Sequence, residues 1–114
     1  MTAGRGASAP SPDAGDDYSE AVLDVVAAIP PGRVLSYGDV AEYLADDHPR
    51  GGARAVGRVL ATRGSGVPWW RVLRADGSVV PVLRERALTA YRAEGTPLLR
   101  GGNRVDMARA RWDG

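Results

Sequence analysis

The chain has 114 residues, 44% hydrophobic and 25% charged, with no cysteine and one histidine. That length supports one domain with one workable core. The absence of cysteine excludes disulfides, zinc–thiolate and iron–sulfur sites and any thiolate nucleophile; a single histidine, His48, argues against a metal site or a triad built on imidazole; and the net charge of +1 conceals a basic block from His48 to Ala75.

Residues 1–16, rich in Ala, Gly, Ser, Pro and Asp, read as a disordered tail ahead of a domain over 17–114. They lack the apolar stretch of a secretory signal, and no apolar run in the chain reaches the ~20 residues of a membrane span. A cytoplasmic protein is therefore expected. Tyr18, Val22, Val25, Val26 and Ile29 recur at helical spacing, with Ser19 as a cap, and Pro30-Pro31-Gly32 stops that helix. Val34-Leu35 is a short extended link. Ser36-Tyr37-Gly38-Asp39 reads as a capping box with Asp in place of the usual Glu. It opens a short helix through Val40, Ala41 and Leu44.

A loop from Ala45 to Gly52 leads to a third helix, Ala53 to Ala61, with Val56, Val59 and Leu60 facing inward. Two short helices and a loop make a helix-turn-helix unit. Arg54 and Arg58 share one face of its second helix. Small Ala53 and Gly57 lie on or beside that face, so the backbone can approach a surface while the arginines reach past it. Arg63 to Pro68 is a flexible turn and Trp70 to Arg74 is extended. Ala75-Asp76-Gly77-Ser78 turns a hairpin with Val79-Val80 as the return strand. Val82 to Glu94 is a fourth helix closed by Gly95 and Pro97. Leu98-Leu99 is a short strand, Gly101-Gly102 a turn, and Trp112 packs back onto the domain.

All fifteen basic residues are arginines. Six of them, Arg50, Arg54, Arg58, Arg63, Arg71 and Arg74, fall between His48 and Ala75, where there is no Asp or Glu. Such a block is either a polyanion site or a solvated face. Three stretches decide between the two. Ile29-Pro-Pro-Gly-Arg-Val-Leu-Ser-Tyr-Gly-Asp-Val-Ala, then Ala53-Arg-Ala-Val-Gly, then Val67-Pro-Trp-Trp-Arg-Val with its Asp-Gly turn together resemble the C-terminal DNA-binding domain of O6-alkylguanine-DNA alkyltransferases. The resemblance covers Tyr18 to Trp112. The enzymes carry Pro-Cys-His-Arg-Val in the third stretch, and their cysteine accepts the alkyl group. Trp69 stands in that place, which is similar to the non-catalytic alkyltransferase-like branch.

The fold implied is α/β, one small domain with a winged-helix-like helix-turn-helix. The function implied is minor-groove binding of duplex DNA, extrusion of an O6-alkylated guanine without transfer, and marking of the lesion for nucleotide excision repair. No metal or cofactor is implied, and a monomer is expected. The chemistry agrees: irreversible alkyl acceptance needs a soft nucleophile such as thiolate, which indole is not.

By the same resemblance Arg54 is the finger that fills the space of the extruded base. Tyr37 helps rotate the phosphate and contacts the flipped base. Ala53, Ala55 and Gly57 let the recognition helix sit in the groove. Ser36 and Arg58 complete the DNA-facing set, and Arg71 joins it by ordering the pocket loop through backbone carbonyls. The lesion pocket implied is Tyr37, Trp69, Trp70, Val72, Val82 and Leu83, with Val72 and Leu83 flanking the base through their backbone groups.

Trp70 replaces a family histidine. Indole cannot act as that base, so filling volume is its better reading. The segment after the turn lacks the Asn-Tyr-Ser-Gly of the enzymes, and Pro81 removes an N–H there. Some relatives have an arginine near Val82; Arg84 is the nearest here. Two other functions are weighed. A major-groove transcriptional regulator would need polar base readers, which Ala53, Ala55 and Gly57 are not. A glycosylase would need a carboxylate, and Asp39 and Asp76 read better as cap and turn residues.

Overall fold

A computed structural model describes residues 10–114. Of the tail expected over 1–16, residues 1–9 lie outside the described residues. The chain order is α1 (Pro10–Ala28), β1 (Leu35–Ser36), α2 (Tyr37–Tyr43), α3 (Ala53–Arg63), β2 (Val72–Leu73), α4 (Arg84–Glu94) and α5 (Met107–Ala110). Single 3-10 turns occupy Gly64–Gly66, Trp69–Arg71 and Pro81–Leu83. α1 begins at Pro10 rather than at the Ser19 cap. Proline is tolerated in a first turn, where the N–H groups have no intrahelical acceptor.

Two apolar clusters form the core. Val22, Val25, Val26 and Ile29 of α1 pack with Val40 of α2 and Val56 and Val59 of α3. Val79, Ala87, Leu88, Tyr91, Val105 and Ala110 build the second cluster around α4. The short parallel pair of β1 with β2 joins them, with Leu35 opposite Val72 and Ser36 opposite Leu73. Successive strand residues face opposite ways. Leu35 and Val72 therefore enter the first cluster, while Val34 and Leu73 enter the second. The helix-turn-helix is thus fixed to the rest of the domain along one seam, and the cavity described below opens on that seam.

The expected hairpin forms its turn but not its return strand. Arg74 N–H donates to the Ser78 carbonyl at 3.1 Å, and Gly77 N–H donates to that of Arg74 at 2.9 Å. Gly77 has φ +86°, and a Cβ there would overlap the Val105 carbonyl, so only glycine fits. Val79, however, is drawn into the second cluster, and Pro81 has no N–H to give a ladder. β2 pairs with β1 instead, and the wing is reduced to a turn. Leu98 forms a single antiparallel bridge with Val105. The fourth helix starts at Arg84 after the 3-10 turn at Pro81–Leu83, and Gly95 caps it with φ +72°. Trp112 N–H donates to the Val34 carbonyl at 2.9 Å, which ties the C-terminus to the seam. Among the described residues no helix is long and apolar enough to cross a membrane.

Candidate nucleic-acid interface

The capping box places Tyr37. Ser36 N–H donates to Asp39 Oδ2 at 2.9 Å, and Asp39 N–H donates to Ser36 Oγ at 3.0 Å. Asp39 also receives Arg111 Nε at 2.9 Å. Burial raises the Asp39 carboxyl, but the hydrogen bonds from Ser36 and Arg111 outweigh it and hold the group below the usual range. Ser36 is only 5% exposed, and its oxygen is committed to the cap. Its Oγ accepts the cap bond that fixes the start of α2, and the hydroxyl proton is not used in that bond. Burial pushes the Tyr37 phenol up, partly countered by the Arg74 charge. The hydroxyl therefore stays protonated at neutral pH and can donate.

α3 supplies the opposite wall. Ala53, Arg54, Gly57, Leu60 and Ala61 face a cavity of about 510 Å3, which Tyr37, Trp69, Arg74, Val80 and Leu83 complete. That volume suits a small ligand or a single base. Glycine at mid-helix costs ~1 kcal/mol against alanine. Outside its own stretch of helix, no atom of the described residues lies within 4 Å of where a Gly57 Cβ would stand, so the packing around it does not require glycine there.

Trp69 opens the 3-10 turn that ends at Arg71. Its ring stands edge-on to Trp70, with centroids 5.5 Å apart at 85°, and the Arg86 guanidinium lies 5.4 Å from its centroid.

Behind the turn, Glu94 at the end of α4 accepts from Trp70 Nε1 at 2.8 Å, from Arg71 Nε at 3.1 Å and Nη2 at 2.6 Å, and from Gly32 N–H at 3.4 Å. Arg71 Nη1 also donates to the Ile29 carbonyl at 2.8 Å, and Tyr91 Oη donates to the Trp70 carbonyl. Burial raises the Glu94 carboxyl, but the hydrogen bonds from Arg71, Trp70 and Gly32 and the Arg71 charge outweigh it, so the net shift is downward.

The structure brings together Tyr37, Ala53, Arg54, Gly57, Trp69 and Leu83 of the expected site. It does not place Trp70, Val72 or Val82 in the cavity wall. Trp70 packs beside Trp69 against the second cluster, with its Nε1 donated to Glu94. Val72 is buried in the first cluster, because β2 turns it away from the opening. Val82 is 87% exposed, on the outer side of the turn that points Val80 and Leu83 inward. Arg71 has its expected backbone carbonyl and, through Glu94, no free guanidinium to offer DNA. Ala55 and Arg58 sit on α3 away from the cavity, Ala55 in a shallow groove with Tyr18, His48 and Arg50. His48 stacks edge-on with Tyr18 at 5.3 Å.

Leu60, Ala61, Arg74 and Val80 of the wall, and Glu94 behind it, were missed by sequence reasoning. A signal existed for Glu94: it stands next to the C-cap glycine, where the helix dipole disfavours an acid, so another group had to hold it there. Among the described residues no carboxylate lines the cavity. Asp39 is held in the cap, and Asp76 accepts from Ser78 within its turn. Among the described residues no cluster of His, Cys, Asp or Glu could hold a metal ion.

Residues 17–95 match the family described as 6-O-methylguanine DNA methyltransferase, DNA binding domain. A DNA base-flipping protein of Escherichia coli (strain K12) is 40% identical over 103 residues, spanning 86% of this chain and 76% of the relative. One from Vibrio parahaemolyticus (serotype O3:K6, strain AQ3810) is 35% identical over 66 residues, or 56% of this chain and 63% of the relative. The crystal structure of S. pombe Atl1 in complex with damaged DNA containing O6-carboxymethylguanine superposes with a TM-score of 0.72 at 25% identity, covering 87% of this chain and 97% of that one. A second structure, of S. pombe ATL in complex with DNA, gives 0.69 over the same shares.

Proposed function

The chain belongs to the family of the 6-O-methylguanine DNA methyltransferase DNA-binding domain, in its alkyltransferase-like branch, and from that premise we propose that it binds O6-alkylated guanine in duplex DNA, holds the base out of the helix and leaves the alkyl group in place. The observation that carries the proposal is Trp69. By the resemblance of the Val67-Pro-Trp-Trp-Arg-Val stretch it stands where the enzymes carry their acceptor cysteine, and it lines the cavity together with Tyr37, Arg54 and Gly57. α3 approaches the minor groove, Arg54 fills the space of the extruded base, and the base rests against the indole. Extrusion costs roughly a few kcal/mol, which stacking in the cavity and phosphate contacts offset.

The protein acts without a cofactor, as a cytoplasmic monomer. The long-lived complex hands the lesion to nucleotide excision repair proteins. The test is a duplex carrying radiolabelled O6-methylguanine, incubated with a stoichiometric excess of protein. All label stays on the DNA, and no abasic product forms. Label on the protein overturns the binding-only reading, and an abasic site points to a glycosylase.

Two substitutions on α3 separate lesion reading from general DNA binding. Arg54→Ala lowers the preference for O6-methylguanine over guanine, because the flipped state loses its finger. Arg58→Ala, away from the cavity, lowers affinity for both duplexes alike and reduces the log–log salt slope by about one unit. Titrations at several salt concentrations check both, and an unchanged lesion preference in Arg54→Ala removes the finger assignment.

Gly57→Ala should move stability and binding in opposite directions. Its methyl meets nothing in the free protein, so folding gains roughly 0.5–1 kcal/mol from helix propensity. The same methyl stands where DNA must come close, so binding weakens. Thermal melts and titrations on the same preparation test this; a variant that is more stable and binds equally well would show that close approach does not involve this position.

A further inference from the structure

The charge around the cavity is one-sided. Arg54 and Arg74 are the only charged residues in its lining, and Arg86 adds a third guanidinium over the Trp69 ring. All three are exposed. Among the described residues none of them forms an ion pair, since the pairs that do form use Arg63, Arg71, Arg104 and Arg111.

Arg74 differs from an ordinary surface arginine. Its backbone is bonded at both ends of the turn, to Ser78 and from Gly77, and Gly77 in turn packs on Val105. The origin of the side chain is therefore fixed at the cavity mouth. Its charge is felt at the Tyr37 hydroxyl in the same cavity wall. The acid near it in sequence, Asp76, is engaged by Ser78 and faces Arg104 at 4.0 Å.

Among the described residues, an apolar cavity with arginines in and beside its wall and no carboxylate in its lining is matched by a ligand that is apolar in the middle and negative at its end. A plain alkyl group satisfies the apolar part alone. We propose that this cavity favours guanines whose O6 substituent ends in an anion, such as carboxymethyl, and that Arg74 is the residue that sets this preference, with Arg86 adding to it. The inference rests on the lesion-binding function proposed above and specifies which lesions are bound best.

The test uses four matched duplexes at one salt concentration. They carry guanine, O6-methylguanine, O6-carboxymethylguanine or O6-carbamoylmethylguanine, the last being a neutral amide of nearly the same shape. The wild-type protein prefers carboxymethyl over carbamoylmethyl by about five- to twentyfold, the scale of one charge-assisted hydrogen bond in a partly shielded site. Arg74→Gln brings that ratio close to one, and it weakens carboxymethyl binding by more than it weakens O6-methylguanine or carbamoylmethyl binding. Arg74→Lys retains part of the ratio, and Arg86→Gln reduces it by less than Arg74→Gln. A wild-type ratio near one overturns the proposal. So does an Arg74→Gln variant that loses affinity equally on all four duplexes, the mark of a phosphate contact. A protein that ranks all four duplexes alike fails at the earlier step, and the lesion-binding function falls with it.

Discussion

Trp69→Ala weakens binding to an O6-methylguanine duplex by about tenfold or more and binding to the unmodified duplex much less. The indole is half-buried, with its body in the cavity wall and its edge against Trp70. Aromatic contact with an unstacked base is worth ~1–3 kcal/mol, and ~1.4 kcal/mol is a factor of ten. The alkyl group adds apolar surface that guanine lacks, buried at ~25 cal/mol per Å2. On the proposed binding mode, undamaged DNA is held by phosphate contacts of arginines such as Arg54 and Arg58, which the substitution leaves in place. Trp69 also packs against the second cluster, so the variant must first be shown to melt cooperatively. Trp69→Phe keeps most of the wall and retains most of the lesion preference. An alanine variant that is folded and still prefers the lesion as the wild type does would exclude Trp69 from base contact.

The elements that could be read from the sequence are those whose signals are local. The Ser36–Asp39 box, the Pro-Pro-Gly stop and the Asp-Gly turn each depend on a few adjacent residues, and each forms in the structure as read. Trp69, Arg54, Gly57 and Tyr37 were legible as a set because three short stretches fix them in order along the chain. The partner of β2 was not legible. Val79-Val80 is as good a strand by composition as Leu35-Ser36, and only the packing of Val79 into the second cluster decides between them. The cavity wall was half-legible for a similar reason. Val72, Val80, Val82 and Leu83 are interchangeable by hydropathy, and their facing is set by a 3-10 turn that period-2 and period-3.6 patterns do not register. Leu60 read as a core residue, and it is one on its inner side, but it also lines the cavity. Nothing local distinguishes Arg74 from the other arginines of the basic block; its place in the cavity wall depends on how the turn it begins is packed, against Val105.

Glu94→Ala carries the largest cost to the fold, and through the fold it reaches the site. Four donors from two segments converge on this one carboxylate: Gly32 N–H of the Pro30–Gly32 turn, and Trp70 Nε1 with Arg71 Nε and Nη2 of the Trp69–Arg71 turn. The Arg71–Glu94 pair is shielded, each side chain only 13% exposed. Removing one partner of a buried pair costs ~3–5 kcal/mol because the other charge is left uncompensated. Residual solvent contact lowers this to about 2–4 kcal/mol. The Trp70 N–H and the Gly32 N–H lose their acceptor as well. Glu94→Gln keeps an acceptor oxygen and a similar shape but not the charge, so its loss is smaller.

The same carboxylate makes stability depend on pH. Its folded-state pKa lies below the ordinary 4.5, so its contribution is fully present above that value. The contribution is lost as pH falls through the lower folded value. Denaturant melts from pH 7 into the acid range should fall steeply for the wild type and less steeply for Glu94→Gln. Equal slopes would mean that other carboxylates, Asp39 among them, carry the acid sensitivity. In DNA titrations at neutral pH, Glu94→Gln should bind unmodified duplex normally and lose lesion preference, because the turn that presents Trp69 is no longer clamped. A variant with lowered stability but full lesion preference would show that the second cluster alone is enough to hold the indole in the cavity wall.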